Sequence, residues 1–226
     1  DVLINDLEEA SDAQHCNVAK LLCGSEGTLA FTSEIELRLD EIPPAYGAMV
    51  VTHYDSLEGC LSDVETVMKH TLYTCEMMDK VILDCTKGNK LYSSARDFVV
   101  GDPEALLMLE VRAHSAEDLA RQVSELIDFL KQQSSSYASP VLEGESIQKA
   151  HELRKAGLGL LGNMIGDEKA VACIEDTAVA LSDLKPFIME FSALMKRYGQ
   201  RAVYYAHAGA GELHLRPILN LKKSED

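Results

Sequence analysis

From Tyr46 onward the chain keeps switching between two hydrophobic periods, and that switching limits the fold more than any other feature. Leu107, Leu109, Val111 and Ala113 alternate with Met108, Glu110 and Arg112, a period of two that reads as a half-buried strand. Directly after it, Ser115 and Asp118 open a stretch in which Leu119, Val123, Leu126, Ile127 and Leu130 share one helical face. The same succession occurs earlier. A strand over 48–54 leads into a helix begun by the Asp55/Glu58 capping box, with Leu57, Cys60, Leu61, Val64, Val67 and Met68 on one stripe. Part of 72–77 then reads as strand and 79–86 as helix. It recurs later as a short strand ending at Pro140, a helix from Gly144 that carries Arg154, a strand over 170–176 and a helix over 182–198. That last helix has Pro186 in its first turn and Gly199 at its end. Such units predict an α+β fold, a ferredoxin-like antiparallel sheet with helices packed on one face. The other sheet face would be left for a partner or a ligand.

The chain closes on two more apolar-alternating runs, 201–207 and 213–218. If Ala210 and Gly211 form a two-residue hairpin loop, His207 lies directly opposite His214, with β-carbons about 5 Å apart. Imidazole is the commonest metal-donating side chain, so the pair offers two ligands of an open site. Spacing alone equally describes a tight turn with two surface histidines, and two ligands do not complete a catalytic zinc centre.

Residues 1–44 differ in character. An acidic run, 6–12, precedes Gly24-Ser25-Glu26-Gly27-Thr28-Leu29 and then Ile35, Leu37 and Leu39, which would share one face of a strand over 33–39. Two glycines around Ser-Glu let the backbone approach a ligand closely. Pro43 and Pro44 mark the domain boundary. The start at Asp1 without an initiator methionine and the stop at Asp226 soon after a strand read as the ends of a piece of a longer chain.

The formal net charge of −16 repels a polyphosphate backbone and argues against nucleic-acid partners. No apolar run has the length of a membrane span. The six cysteines, at 16, 23, 60, 75, 85 and 173, form no Cys-x-x-Cys pair, which fits a reducing, cytoplasmic compartment.

Three segments together resemble the FAD-linked oxidases and dehydrogenases of the vanillyl-alcohol oxidase type. Gly24 to Leu29 resembles the motif that closes their flavin-binding domain, and Ile174 to Ser182 is similar to a strand-to-helix junction of their C-terminal cap domain. His207 to His214 matches their His-x-Gly-x-Gly-x-Leu-His hairpin, followed by Leu215-Arg216-Pro217. The resemblance implies residues 1–44 as the end of a flavin domain and 45–226 as a cap domain truncated at its C-terminus. It implies FAD, contacted here by Gly24, Ser25, Glu26, Gly27 and Thr28, and oxidation of a small D-2-hydroxy acid by hydride transfer to the flavin. It also implies zinc or another divalent metal on His207 and His214, and a substrate carboxylate gripped by Arg154 through the planar fork of its guanidinium. The remaining FAD-binding domain would be a partner, and the electron acceptor is not specified. By the same resemblance the third metal ligand and the catalytic histidine belong to a Glu-His-Gly motif beyond Asp226. Glu110 reads as structural. Ala210 and Glu212 depart from the aspartate and asparagine that many relatives carry there, and Ala180 replaces a common proline. The competing expectation is a stand-alone α+β module that binds a ligand or oligomerises through the open sheet face, its histidines incidental.

Overall fold

The computed structural model describes residues 19–87, 89–92 and 94–226, and the chain divides into two units, 1–42 and 43–226. The acidic run 6–12 lies outside the described residues. In the first unit a five-residue helix α1 (Ala19–Cys23) is followed by turns and then extended chain. The strand expected over 33–39 is not formed: Ile35, Leu37 and Leu39 are 69%, 72% and 83% exposed. Alternation is a necessary condition for a strand and not a sufficient one, because backbone N–H and C=O groups need a neighbouring ladder.

The second unit is built on one antiparallel sheet. Its strands are β1 (Tyr46–Tyr54), β2 (Thr74–Asp79), β3 (Ala105–Ala113), β4 (Val141–Glu143), β5 (Lys169–Ala170), β6 (Ile174–Ala178), β7 (Arg201–His207) and β8 (Glu212–Leu219). They lie in the order β4, β1, β3, β2, β7, β8, β5, with β6 also paired to β8. The single strand expected over 170–176 is therefore two short ones, both on β8. Five helices follow from the apolar stripes: α2 (Leu57–Val67), α3 (Lys80–Thr86), α4 (Ala116–Gln133), α5 (Glu145–Leu160) and α6 (Leu181–Arg197). No helix among the described residues is long and apolar enough to cross a membrane.

The α+β class with an antiparallel sheet is the observed one, but the helices occupy both sheet faces and not one. Ala48 and Val50 of β1, with Leu107 and Leu109 of β3, pack under α2, α4 and α6. Their neighbours Met49, Val51, Leu106 and Met108 pack under α3 and α5. Strands apolar on both sides have to be covered on both sides, since exposing either row leaves roughly 25 cal/mol per Å² of burial unrealised. Within this sheet the expected open face is taken by α3 and α5.

The helix starts have local causes. Ser56, one residue after the expected Asp55, caps α2 by accepting from the Gly59 amide at 3.1 Å. Ser115 caps α4 in the same way, accepting from Asp118 at 3.2 Å. Asp79 does more, because its Oδ1 accepts from Ile82 N at 3.0 Å at the start of α3 while Oδ2 accepts from Tyr204 N at 2.8 Å on β7. One buried carboxylate thus joins a helix cap to the next strand. Burial pushes its carboxyl up to about 7, against the amide donors that favour the anion.

Asp79→Ala leaves two buried amides without an acceptor and is expected to destabilise the fold by on the order of 2–4 kcal/mol in a denaturant titration. The folded-state carboxyl titrates above the unfolded one, so the folded protein holds the extra proton. This contribution to stability is complete below about pH 4 and is lost as pH rises through about 7. The variant should lack that fall in stability.

Candidate metal and substrate site

The β7–β8 hairpin does not have the two-residue loop expected for it. Residues Ala208–Ala210 make one 3₁₀ turn and Gly211 closes it at φ +69°. The register consequently pairs His207 with Glu212 and Tyr205 with His214. His207 and His214 are thus diagonal neighbours and not directly opposed. A slip of two residues, unlike a slip of one, keeps every side chain on its face. The imidazoles still meet edge to face, with ring centroids 5.4 Å apart.

Two glycines allow that turn to sit where it does. A β-carbon on Gly209 would come 2.9 Å from Met68 Sδ and 3.0 Å from Cys75 Cβ, and one on Gly211 would lie 2.1 Å from the Val179 carbonyl oxygen. The first holds the turn against the core. The second is needed because the Val179 amide donates to Gly211 O at 3.0 Å, joining the hairpin to the end of β6. Gly-x-Gly in the sequence motif is therefore a packing requirement of the hairpin.

Each histidine has one ring nitrogen occupied. His207 Nδ1 is 3.0 Å from Glu76 Oε1 and 2.9 Å from Oε2, and His214 Nδ1 is 2.9 Å from Glu175 Oε2. An ionised carboxylate can only accept, so in both rings Nδ1 carries a proton, and it is Nε2 that keeps the lone pair whenever the ring is neutral. Each of the two acids also holds an arginine. Glu76 Oε2 is 2.6 Å from Arg154 Nη2, and Glu175 Oε1 pairs with Arg216 Nε. Burial would raise the Glu175 carboxyl, but the Arg216 guanidinium and His214 outweigh it and hold it below the usual carboxylate range.

Arg154 projects from α5 to the sheet and lies beside His207 through their shared Glu76, not beside its helix neighbour Glu152, which bonds Gln148. Its Nη2 also donates to Ala206 O at 3.2 Å, while its buried Nε has no hydrogen-bond partner among the described residues. A hollow of about 250 Å³ opens beside this group, lined by Leu72, Thr74, Cys75, Glu76, His207 and Gly209. One turn earlier on α5, His151 Nε2 lies 3.0 Å from Glu110 Oε2. Arg112 holds the other oxygen at 2.6 Å, so the nearly inaccessible Glu110 is fully paired.

β6 carries a bulge between Ile174 and Thr177, with Asp176 at φ +55°. The bulge brings two consecutive acids to one imidazole: Asp176 Oδ1 is 3.2 Å from His214 Nδ1, beside Glu175. Tyr205 stacks on His214, centroids 4.5 Å apart, and its hydroxyl donates to Glu175 Oε2 at 3.3 Å. Burial pushes that phenol up to about 12. Potential ligand atoms of His207, Glu212 and His214 all lie within 4.8 Å of one another. Two imidazoles with one carboxylate suit zinc or a similar borderline cation.

The structure thus brings Arg154, His207 and His214 together. Gly24 to Thr28 form an exposed turn in the first unit, where the Ser25 and Thr28 hydroxyls donate to the Leu22 and Ser25 carbonyls. Sequence reasoning missed Glu76, Glu175, Glu212, Tyr205 and Arg216. Strand parity relative to His207 and His214 would have found Tyr205, Glu212 and Arg216. Glu76 needs the long-range β2–β7 pairing, and Glu175 needs the bulge.

Residues 43–226 match the family description "FAD linked oxidases, C-terminal domain". The chain is 30% identical over 222 residues to D-2-hydroxyglutarate dehydrogenase of Pantoea ananatis, covering 94% of this chain and 22% of that protein. It is 24% identical over 216 residues to D-lactate dehydrogenase of Anaerostipes hadrus, covering 90% and 42%. The chain therefore spans only 22% of the length of the first relative. Among solved structures, 4-ethylphenol oxidase from Gulosibacter chungangensis superimposes with a TM-score of 0.55 at 8% identity, over 81% of this chain and 41% of that one. Alkyldihydroxyacetonephosphate synthase gives 0.53 at 9% identity, over 80% and 38%. These two likenesses concern the fold.

Gly211→Ala would both strain the backbone and collide with Val179. It is expected to cost about 1–3 kcal/mol, measured by chemical denaturation.

Proposed function

The chain belongs to the FAD-linked oxidase C-terminal domain family, and from that premise we propose that it is part of a flavin-dependent dehydrogenase oxidising a small D-2-hydroxy acid. The two named relatives share that substrate class in their names. The observation that carries the reading is the meeting of Arg154, from α5, and His207, from β7, on the Glu76 carboxylate of β2. A cation for a carboxylate and a nitrogen ligand for a metal, 53 residues apart by their numbers, are held by one acid. That is the arrangement a 2-hydroxy acid needs, since its two functional groups sit on adjacent carbons.

In this reading His207 and His214 hold a divalent cation through Nε2, and Arg154 receives the substrate carboxylate. Its Nε remains an unspent donor, and an unsatisfied buried donor is costly unless a ligand takes it. Arg216 neutralises Glu175 so that this acid orients His214 without adding net charge. When bound, FAD would take the hydride and the cation would polarise the substrate hydroxyl. Gly24, Ser25, Glu26, Gly27 and Thr28 offer FAD an exposed edge and not a cradle, so most of its binding lies with the remaining FAD-binding domain as partner. The buried free thiols Cys60 and Cys75 suit a reducing, cytoplasmic setting. The stand-alone module reading depended on an open sheet face, and helices occupy it.

The test is a flavin-loaded protein that contains this chain, mixed anaerobically with D-2-hydroxyglutarate or D-lactate. Bleaching of the flavin is expected, and an inert flavin with both acids would contradict the reading. Arg154→Lys keeps the charge beside Glu76 and removes the fork. It should raise KM by about tenfold, roughly 1.4 kcal/mol, with a smaller effect on kcat.

A further inference from the structure

We propose that the Glu212 carboxylate is a further ligand, beside the imidazoles of His207 and His214, to a zinc-type divalent cation held at the β7–β8 hairpin. This rests on the preceding reading of the two histidines as ligands. It adds a ligand where many members of the resembling family have asparagine.

Glu212 faces His207 directly across the closing pair of the hairpin and sits two residues from His214 on the same strand face. Ligand atoms of all three are mutually within 4.8 Å, so a cation bonded at about 2.0–2.2 Å has to draw any pair wider than about 4.4 Å closer. Glu212 is half-buried, and its side chain makes no hydrogen bond or ion pair among the described residues. Two of the acids that touch these imidazoles have a second task, and the third, Asp176, is largely exposed. Glu76 holds Arg154, and Glu175 holds Arg216 and the Tyr205 hydroxyl.

That division of labour separates ligand from support. Glu76 and Glu175 each accept from an Nδ1–H and each carry an arginine, so they fix ring orientation and leave Nε2 available, the usual task of groups behind a metal ligand. Glu175 and Asp176 also lie near His214. They do so at Nδ1, where Glu175 already accepts, and Asp176 is largely exposed. Of the two carboxylates here without an arginine partner, Asp176 and Glu212, only Glu212 is half-buried and stands opposite His207. With both arginine–glutamate pairs neutral, it supplies one negative charge to offset a dication.

The test is zinc binding by the 226-residue chain, measured calorimetrically against a competing chelator, with cobalt absorption as a second readout of the ligand set. The chain is expected to bind one equivalent. Glu212→Gln, which keeps the side-chain shape, should weaken zinc by at least about tenfold, no less than loss of an outer-shell partner costs, and should shift the cobalt bands. His214→Ala should weaken zinc at least as much. If His214→Ala abolishes binding while Glu212→Gln changes neither affinity nor cobalt spectrum, the third-ligand assignment is overturned and the histidine reading stands. If the chain binds no zinc, or the His214 variant binds as well as the original, both are overturned.

Discussion

The carboxylate of Glu76 is the contact on which the site depends. It lies on a strand near the middle of the sheet, is 13% exposed, and has the Arg154 guanidinium on one side and the His207 ring on the other. Removing either partner would leave a largely desolvated acid short of compensation, and this is why such pairs resist disruption. Three elements distant in sequence are thus held in one arrangement by a single ionised group. Glu110 repeats the device on the neighbouring strand, opposite Thr74, with His151 from the same helix. His151 and Arg154 are one helical turn apart. Helix α5 is therefore anchored to the sheet by two acids as well as by Ala150 and Leu153 in the core.

The sheet face under α5 is accordingly apolar along one part and ionic along the other. Met49, Val51, Leu106 and Met108 support the helix by burial, and the acids fix its rotation. Non-directional packing tolerates small shifts, while bidentate and charge-assisted contacts do not. The hairpin is fixed from the opposite side by Gly209 against Met68 and by Gly211 against Val179. Between those two constraints the imidazoles have little freedom, which is what a preorganised ligand set requires.

Much of the architecture was legible in the sequence, because its signals are local. The stripe Leu119, Val123, Leu126 and the alternation 107–113 depend only on neighbours in the chain, and both elements form close to where periodicity puts them. What was not legible depends on partners. Residues 33–39 alternate well and form no strand, because alternation cannot say whether a ladder lies alongside. Two-sided helix cover follows from β1 and β3 being apolar on both faces, a pattern that periodicity reads as ambiguous. At the site, His207, His214 and Arg154 came from a resemblance, whereas Glu76 required the pairing of β2 with β7 and Glu175 required a bulge. The hairpin register was misjudged by two residues because Gly211 permits a longer turn, yet the face was right, since parity survives a shift of two.

Glu76 and Glu175 set the two histidines in one tautomer, with both Nε2 lone pairs free in the neutral rings. Imidazole proton–nitrogen correlation spectra of the metal-free chain in mildly alkaline buffer report that directly, each ring being assigned through His207→Gln and His214→Gln. Both His207 and His214 are expected as the Nδ1–H tautomer. The Nε2–H tautomer in either ring, or a mixture of the two forms, would contradict it.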